Sequence, residues 1–124
     1  MNDSWITLGE TDVKVPPLGI GTWQWGDRWI WGFGSDYGDA QVREAFDAAL
    51  DTELPFFDTA EVYGLGRSEK FLGQFLDGHR DEVVIATKFY PYPWRLTRGQ
   101  LRNALRGSLA RLGLAQVDLY QYHV

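Results

Sequence analysis

Phe56-Phe57-Asp58-Thr59-Ala60-Glu61-Val62-Tyr63-Gly64-Leu65-Gly66-Arg67-Ser68-Glu69 is a short apolar run that opens into an acid, a tyrosine and two glycines before a helical pattern begins. It reads as a strand end, a loop and a helix start. The small residues between Asp58 and Tyr63 allow both side chains to face one cavity at the mouth of a β/α unit, where α/β barrels keep their chemistry.

Outward from this stretch, strand and helix patterns alternate. Pro55 to Asp58 is one strand, and Val83 to Lys88 is the next, continuously apolar as a strand covered on both faces should be. Val117 to His123 is another. Helices are expected between them. The first has Asp39 as N-cap and Val42, Ala45, Phe46, Ala49 and Leu50 on one face. The second starts at Gly66 or Ser68, turns Phe71, Leu72, Phe75 and Leu76 inward and stops near Gly78. In the third, Thr97 and Gln100 make a capping box, Leu101, Ala104, Leu105, Leu109 and Leu112 form the lining, and Gly113 is the stop. Upstream, Trp5 to Leu8 and Val13 to Val15 form a hairpin, Pro16-Pro17 breaks it, and Leu18 to Trp23 makes a first sheet strand. Repeated strand-helix order means a parallel sheet with right-handed crossovers.

The segment from Gln24 to Gly38 has no period but carries Trp25, Trp29, Trp31, Phe33 and Tyr37. This aromatic load argues against disorder. Two readings stay open and are compatible: a lid packed on its own domain, and an aromatic wall facing a substrate.

Side chains alternate along a strand, so a face holding Asp58, Lys88 and His123 also holds Phe56, Val84, Ala86, Leu119 and Gln121. Each of the three then ends a neighbouring strand. Taken singly, Asp58 could be a turn aspartate, Lys88 a solvated strand-end lysine, Tyr63 a packed aromatic and His123 inconsequential. His79, between Gly78 and Arg80, reads as a surface residue at a helix end.

Asp58-Thr59-Ala60, Tyr63-Gly64, Gly66 and Ser68-Glu69, with Ala86-Thr87-Lys88 and Tyr120-Gln121-Tyr122-His123 at the following strand ends, together resemble the signature of the aldo/keto reductase family. The resemblance implies a (β/α)8 TIM barrel and a catalytic set of Asp58, Tyr63, Lys88 and His123. A free phenol holds its proton too tightly to give it up readily at neutral pH, and a nearby ammonium favours its release. Lys88 would supply that charge, Asp58 would keep Lys88 charged and oriented, Tyr63 would protonate a carbonyl oxygen, and His123 would orient the carbonyl.

No side chain carries hydride, so a cofactor is required. Gly19-Ile20-Gly21, Gly32-Phe33-Gly34 and Gly64-Leu65-Gly66 all lack the third glycine of the Rossmann fingerprint. The family resemblance implies NADPH instead, with Gly21, Thr22, Trp23 and Asp58 beside the nicotinamide and the phosphates held by later strands. The implied reaction is reduction of an aldehyde or ketone to the alcohol. The alternative is a noncatalytic cofactor-binding or regulatory barrel.

Composition sets limits on these readings. A closed barrel needs about 250 residues, with about 200 as the lower limit. At 124 residues, the expectation is a single incomplete domain over 1–124: an N-terminal half-barrel of about four parallel strands behind a hairpin, inactive as a truncated fragment and prone to self-associate through open sheet edges. A net charge of -5 argues against nucleic acid as a partner. The lack of cysteine excludes disulfides and thiolate metal sites, and no metal ligand set is expected. Met1-Asn2-Asp3-Ser4-Trp5 lacks the regions of a signal peptide and no apolar run has membrane-spanning length, so the expected setting is cytoplasmic.

Overall fold

A computed structural model describes residues 4–52 and 55–123. Readings that fall on Met1, Asn2, Asp3 and Val124 lie outside them. The expected hairpin is present but short: β1 (Ile6–Thr7) pairs antiparallel with β2 (Lys14–Val15), Ile6 opposite Val15. Thr11 closes its turn, donating from Oγ1 to the Leu8 carbonyl at 2.6 Å.

The main sheet is parallel, in the order β3 (Ile20–Gly21), β4 (Phe56–Asp58), β5 (Val84–Phe89) and β6 (Leu119–Tyr122). Three helices connect or cover these strands: α1 (Asp39–Leu50), α2 (Arg67–Phe75) and α3 (Arg98–Leu112). The first sheet strand is shorter than the sequence indicates because its ladder begins only at Ile20, after Pro16-Pro17, and Leu18 is 83% exposed.

Register confirms the parity expected of the strands. Phe56 lies opposite Val84, Asp58 opposite Ala86, Ala86 opposite Leu119, and Lys88 opposite Gln121, so one face carries all of them. The other face carries Phe57, Ile85 and Thr87, and it meets the helices. Phe46 of α1 stacks on Phe57 with centroids 5.3 Å apart, and Leu72 and Leu112 complete this layer. Burying Phe46 and Phe57 completely stabilises the fold by about 1.5–3 kcal/mol each.

Several local expectations shift by a residue or a face. Gly38, not Asp39, caps α1, because its amide reaches the Gln41 side-chain oxygen at 2.8 Å; Asp39 becomes the first helical residue, where its carboxylate meets the positive helix end. Ala45 is exposed, since the buried stripe of α1 runs through Val42, Phe46 and Ala49. In α3 the Thr97–Gln100 capping box and the left-handed stop at Gly113 are as read, but Leu101 is exposed and Ser108 is buried in its place. Leu101 and Ser108, seven residues apart, share one helix face, and that face is covered only from Ala104 on, where Arg111 reaches across to Glu69 of α2. That approach is close: a Cβ on Gly73 would come within 2.4 Å of the Arg111 carbonyl.

A polar network crosses this same interface. Glu69 is fully buried and accepts from Thr87 Oγ1 at 2.7 Å and Arg111 Nε at 2.8 Å, tying α2 to β5 and α3. Both groups satisfy a carboxylate that would otherwise be expensive to bury.

Candidate active site

Asp58 is the last residue of β4, Lys88 is next to last in β5, and His123 follows β6 directly, so the three stand side by side at the C-terminal edge of the sheet. Lys88 Nζ occupies the centre. It donates to Asp58 Oδ1 at 2.8 Å, to the Thr59 carbonyl at 3.0 Å and to the Tyr63 hydroxyl at 3.2 Å. Three acceptors use all three ammonium protons and fix the lysine's direction. Its side chain is 12% exposed, against 36% for Asp58, which leaves one carboxylate oxygen towards solvent.

Tyr63 opens a 3-10 turn, Tyr63–Gly66, that leads into α2. A Cβ on Gly64 would lie 2.8 Å from the Gly26 carbonyl, so this turn packs backbone to backbone against the tryptophan loop. The Tyr63 ring stacks on Trp23 at 6.1 Å and meets His123 edge-on at 6.0 Å. Trp23, Val62, Tyr63 and His123 line a cavity of about 180 Å³. Larger cavities, of about 510 Å³ beside Gly73 and Leu112 and about 310 Å³ beside Arg80 and Asp118, lie away from the strand ends that bear the site. The small cavity is the candidate because it adjoins the Lys88 cluster.

Burial pushes the His123 imidazole below its ordinary value, the Lys88 ammonium lowers it further, and Asp58 and Glu61 oppose them only in part. At neutral pH His123 is therefore uncharged. Such a ring has one N–H to donate.

The cofactor segment divides. Gly21 lies opposite Asp58 in register, and a Cβ there would meet nothing within 4 Å, so an open ledge adjoins the cluster. Trp23 stands over Tyr63. Thr22 is not brought to the cavity. It is fully buried, and Ser68 Oγ donates to its hydroxyl at 2.7 Å and its carbonyl at 2.6 Å.

The tryptophan loop divides between a packed part and an exposed part. Trp25 and Phe33 are buried in the core beside Phe57 and Phe71, whereas Trp31 meets Trp23 edge-on at 5.8 Å near the cavity. Trp29 is 88% exposed.

Residues that carried no sequence signal hold these loops. Asp27 accepts from the Trp23 indole and from the Trp29 and Ile30 amides. Burial would raise its carboxyl, but the amide and indole donors outweigh that and keep it below the usual value. Glu61 accepts from the Tyr90 amide at 2.8 Å and pairs with Arg95, whose guanidinium lies over the Phe89 and Tyr92 rings. An acidic residue followed two or three positions on by exposed turn amides is the one local hint for Asp27.

The profile of the aldo/keto reductase family matches residues 17–124. The chain belongs to this family. Among aldo/keto reductase relatives, chloroplastic pyridoxal reductase of Arabidopsis thaliana is 44% identical over 129 residues, covering 96% of this chain and 35% of its own. Methylglyoxal reductase YeaE of Escherichia coli is 35% identical, covering 90% of this chain and 36% of its own. A Klebsiella pneumoniae aldo-keto reductase solved in complex with NADPH superposes with a TM-score of 0.73 at 34% identity, over 89% of this chain and 36% of that one. The chain thus spans about a third of the length of these relatives. Its four-stranded parallel sheet behind an N-terminal hairpin is a partial (β/α)8 barrel. Among the described residues no helix is long and apolar enough to cross a membrane.

Proposed function

We propose that residues 1–124 form the N-terminal half of the barrel of an NADPH-dependent reductase of aldehydes or ketones, and that Tyr63, Lys88, Asp58 and His123 are its catalytic residues. One observation carries this reading: a single ammonium, Lys88 Nζ, touches the Asp58 carboxylate and the Tyr63 phenol at once, at 2.8 and 3.2 Å. A structural ion pair would not need the phenol.

The ledge at Gly21, opposite Asp58, is open and would hold the nicotinamide end of NADPH. When bound, NADPH supplies the hydride that a carbonyl carbon accepts. Tyr63 Oη donates its proton to the carbonyl oxygen, giving the alcohol, and recovers a proton from solvent afterwards. Lys88 stabilises the negative charge left on Tyr63. Asp58 and the Thr59 carbonyl hold Lys88 in line with the phenol. His123, uncharged and lining the same cavity, donates an N–H to the carbonyl oxygen and orients it. Trp23 and Val62 wall the cavity.

The test is steady-state reduction of an aldehyde panel by the full-length protein with NADPH, alongside Asp58→Asn. The reading requires NADPH oxidation that depends on the carbonyl and falls at least tenfold in the variant. Carbonyl-independent binding of NADPH with no turnover would instead favour a noncatalytic barrel.

A further inference from the structure

We propose that Asp27 is a positioning residue that fixes which edge of Trp23 the carbonyl cavity receives, and thereby favours aromatic over small carbonyl substrates. This rests on the reductase reading above.

Asp27 is 7% exposed, and its three atoms able to accept are all engaged. Oδ2 accepts from Trp23 Nε1 at 3.0 Å, Oδ1 from the amides of Trp29 at 2.9 Å and Ile30 at 2.8 Å, and the backbone carbonyl from Phe33 at 2.9 Å. One carboxylate therefore gathers the indole that roofs the cavity and the turn that carries Trp31. Trp23 itself is 41% exposed, and its ring meets the Tyr63 and Trp31 rings. Ring contacts of this kind constrain a plane but not the direction of the N–H within it. Tied to Asp27, the indole N–H is withdrawn and the cavity receives an apolar ring face. The proton donors left there are Tyr63 and His123. A free indole N–H would offer a third donor to the carbonyl and leave the roof able to turn.

The carboxylate's charge matters because only an ionised group offers two accepting oxygens. With Asp27→Asn, the single oxygen stays with the Trp29 and Ile30 amides, and the NH2 confronts the indole N–H, donor to donor. The turn survives and the link to Trp23 is cut. Asp27→Ser, long enough for the amides but too short for the indole, is a second variant of the same kind.

The experiment compares wild type, both variants, Trp23→Phe and the double variant D27N/W23F in the full-length protein, with benzaldehyde and propionaldehyde as probes. The expected result is a KM for benzaldehyde raised about two- to tenfold, the worth of one aromatic pair, with KM for propionaldehyde changed less than twofold. Because both changes remove the same link, the double variant should be no worse than either single one. Hydrogen exchange of the indole N–H groups, followed by NMR with the Trp23 signal identified by its loss in W23F, should show that the Trp23 indole is protected in the wild type and loses protection in D27N and D27S. Equal KM changes for both aldehydes, full additivity, or unchanged indole protection would overturn the proposal. A wild type that reduces no carbonyl would overturn the reductase reading and the substrate preference with it, while the indole exchange would still decide whether Asp27 holds Trp23.

Discussion

Replacing Lys88 with methionine removes the charge at the centre of the cluster while keeping most of the side chain's bulk. The ammonium lies 3.2 Å from the Tyr63 oxygen. Coulomb's law gives about 5 kcal/mol of attraction to a phenolate at that distance for an effective dielectric near 20, and about 1.3 kcal/mol in bulk water. The Lys88 side chain is 12% exposed, which favours the larger figure, but the Asp58 carboxylate 2.8 Å away on its other side offsets part of it. A net loss of about 2–4 kcal/mol in the transition state follows, or about 30- to 900-fold in rate. Because the charge on the phenol exists only as the proton leaves, kcat and kcat/KM should fall together. The assay is NADPH oxidation by the full-length protein across a range of aldehyde concentrations, with Lys88→Arg as the charge-retaining control. A methionine variant within threefold of wild type would refute the assignment of Lys88 to the phenol.

Three further outcomes are expected. Gly73→Ala should lower stability by about 1–3 kcal/mol in urea unfolding, since its Cβ would press the Arg111 carbonyl; a change below 0.5 kcal/mol would show that α2 and α3 can separate freely. The folded state holds His123 below its ordinary 6.5, so it binds fewer protons than the unfolded chain beneath that pH, and stability present above pH 6.5 should be lost as pH falls. Thermal unfolding of His123→Asn should show a flatter acid limb, and an identical limb would exclude His123 as its source. Residues 1–124 expressed alone should bind NADPH weakly and self-associate, because β3 and β6 are open edges; sedimentation with a fluorescence titration checks this, and a monomer with micromolar affinity would contradict it.

The fold was legible because its signals are local and periodic. Strand parity tied Asp58 to Phe56, Lys88 to Val84 and Ala86, and His123 to Leu119 and Gln121, and the register of β4, β5 and β6 puts Asp58, Lys88 and Gln121 on one face. Tyr63 was legible through the spacing of its loop. What escaped were polar contacts between residues far apart in the chain: Ser68 to Thr22, 46 positions away, and Arg111 to Glu69, 42 positions away. Neither pair leaves a mark on local hydrophobic pattern. Leu101 shows a different limit: it shares a helix face with Ala104, Ser108 and Leu112, and apolar spacing cannot show that the first turn of that face is left uncovered. The burial of Thr22 has a simpler cause: its neighbour Gly21 faces the ledge, so Thr22, one residue on, faces the helices.

The central claim is that Tyr63 is the proton donor, and Tyr63→Phe tests it most directly, because the change deletes one hydroxyl and little contact area. Turnover of an aldehyde and the dissociation constant for NADPH should be measured side by side in the full-length protein. Loss of about 100- to 10,000-fold in kcat with NADPH affinity nearly unchanged is the predicted result. Near-normal turnover in the phenylalanine variant would contradict it and remove Tyr63 from the reaction.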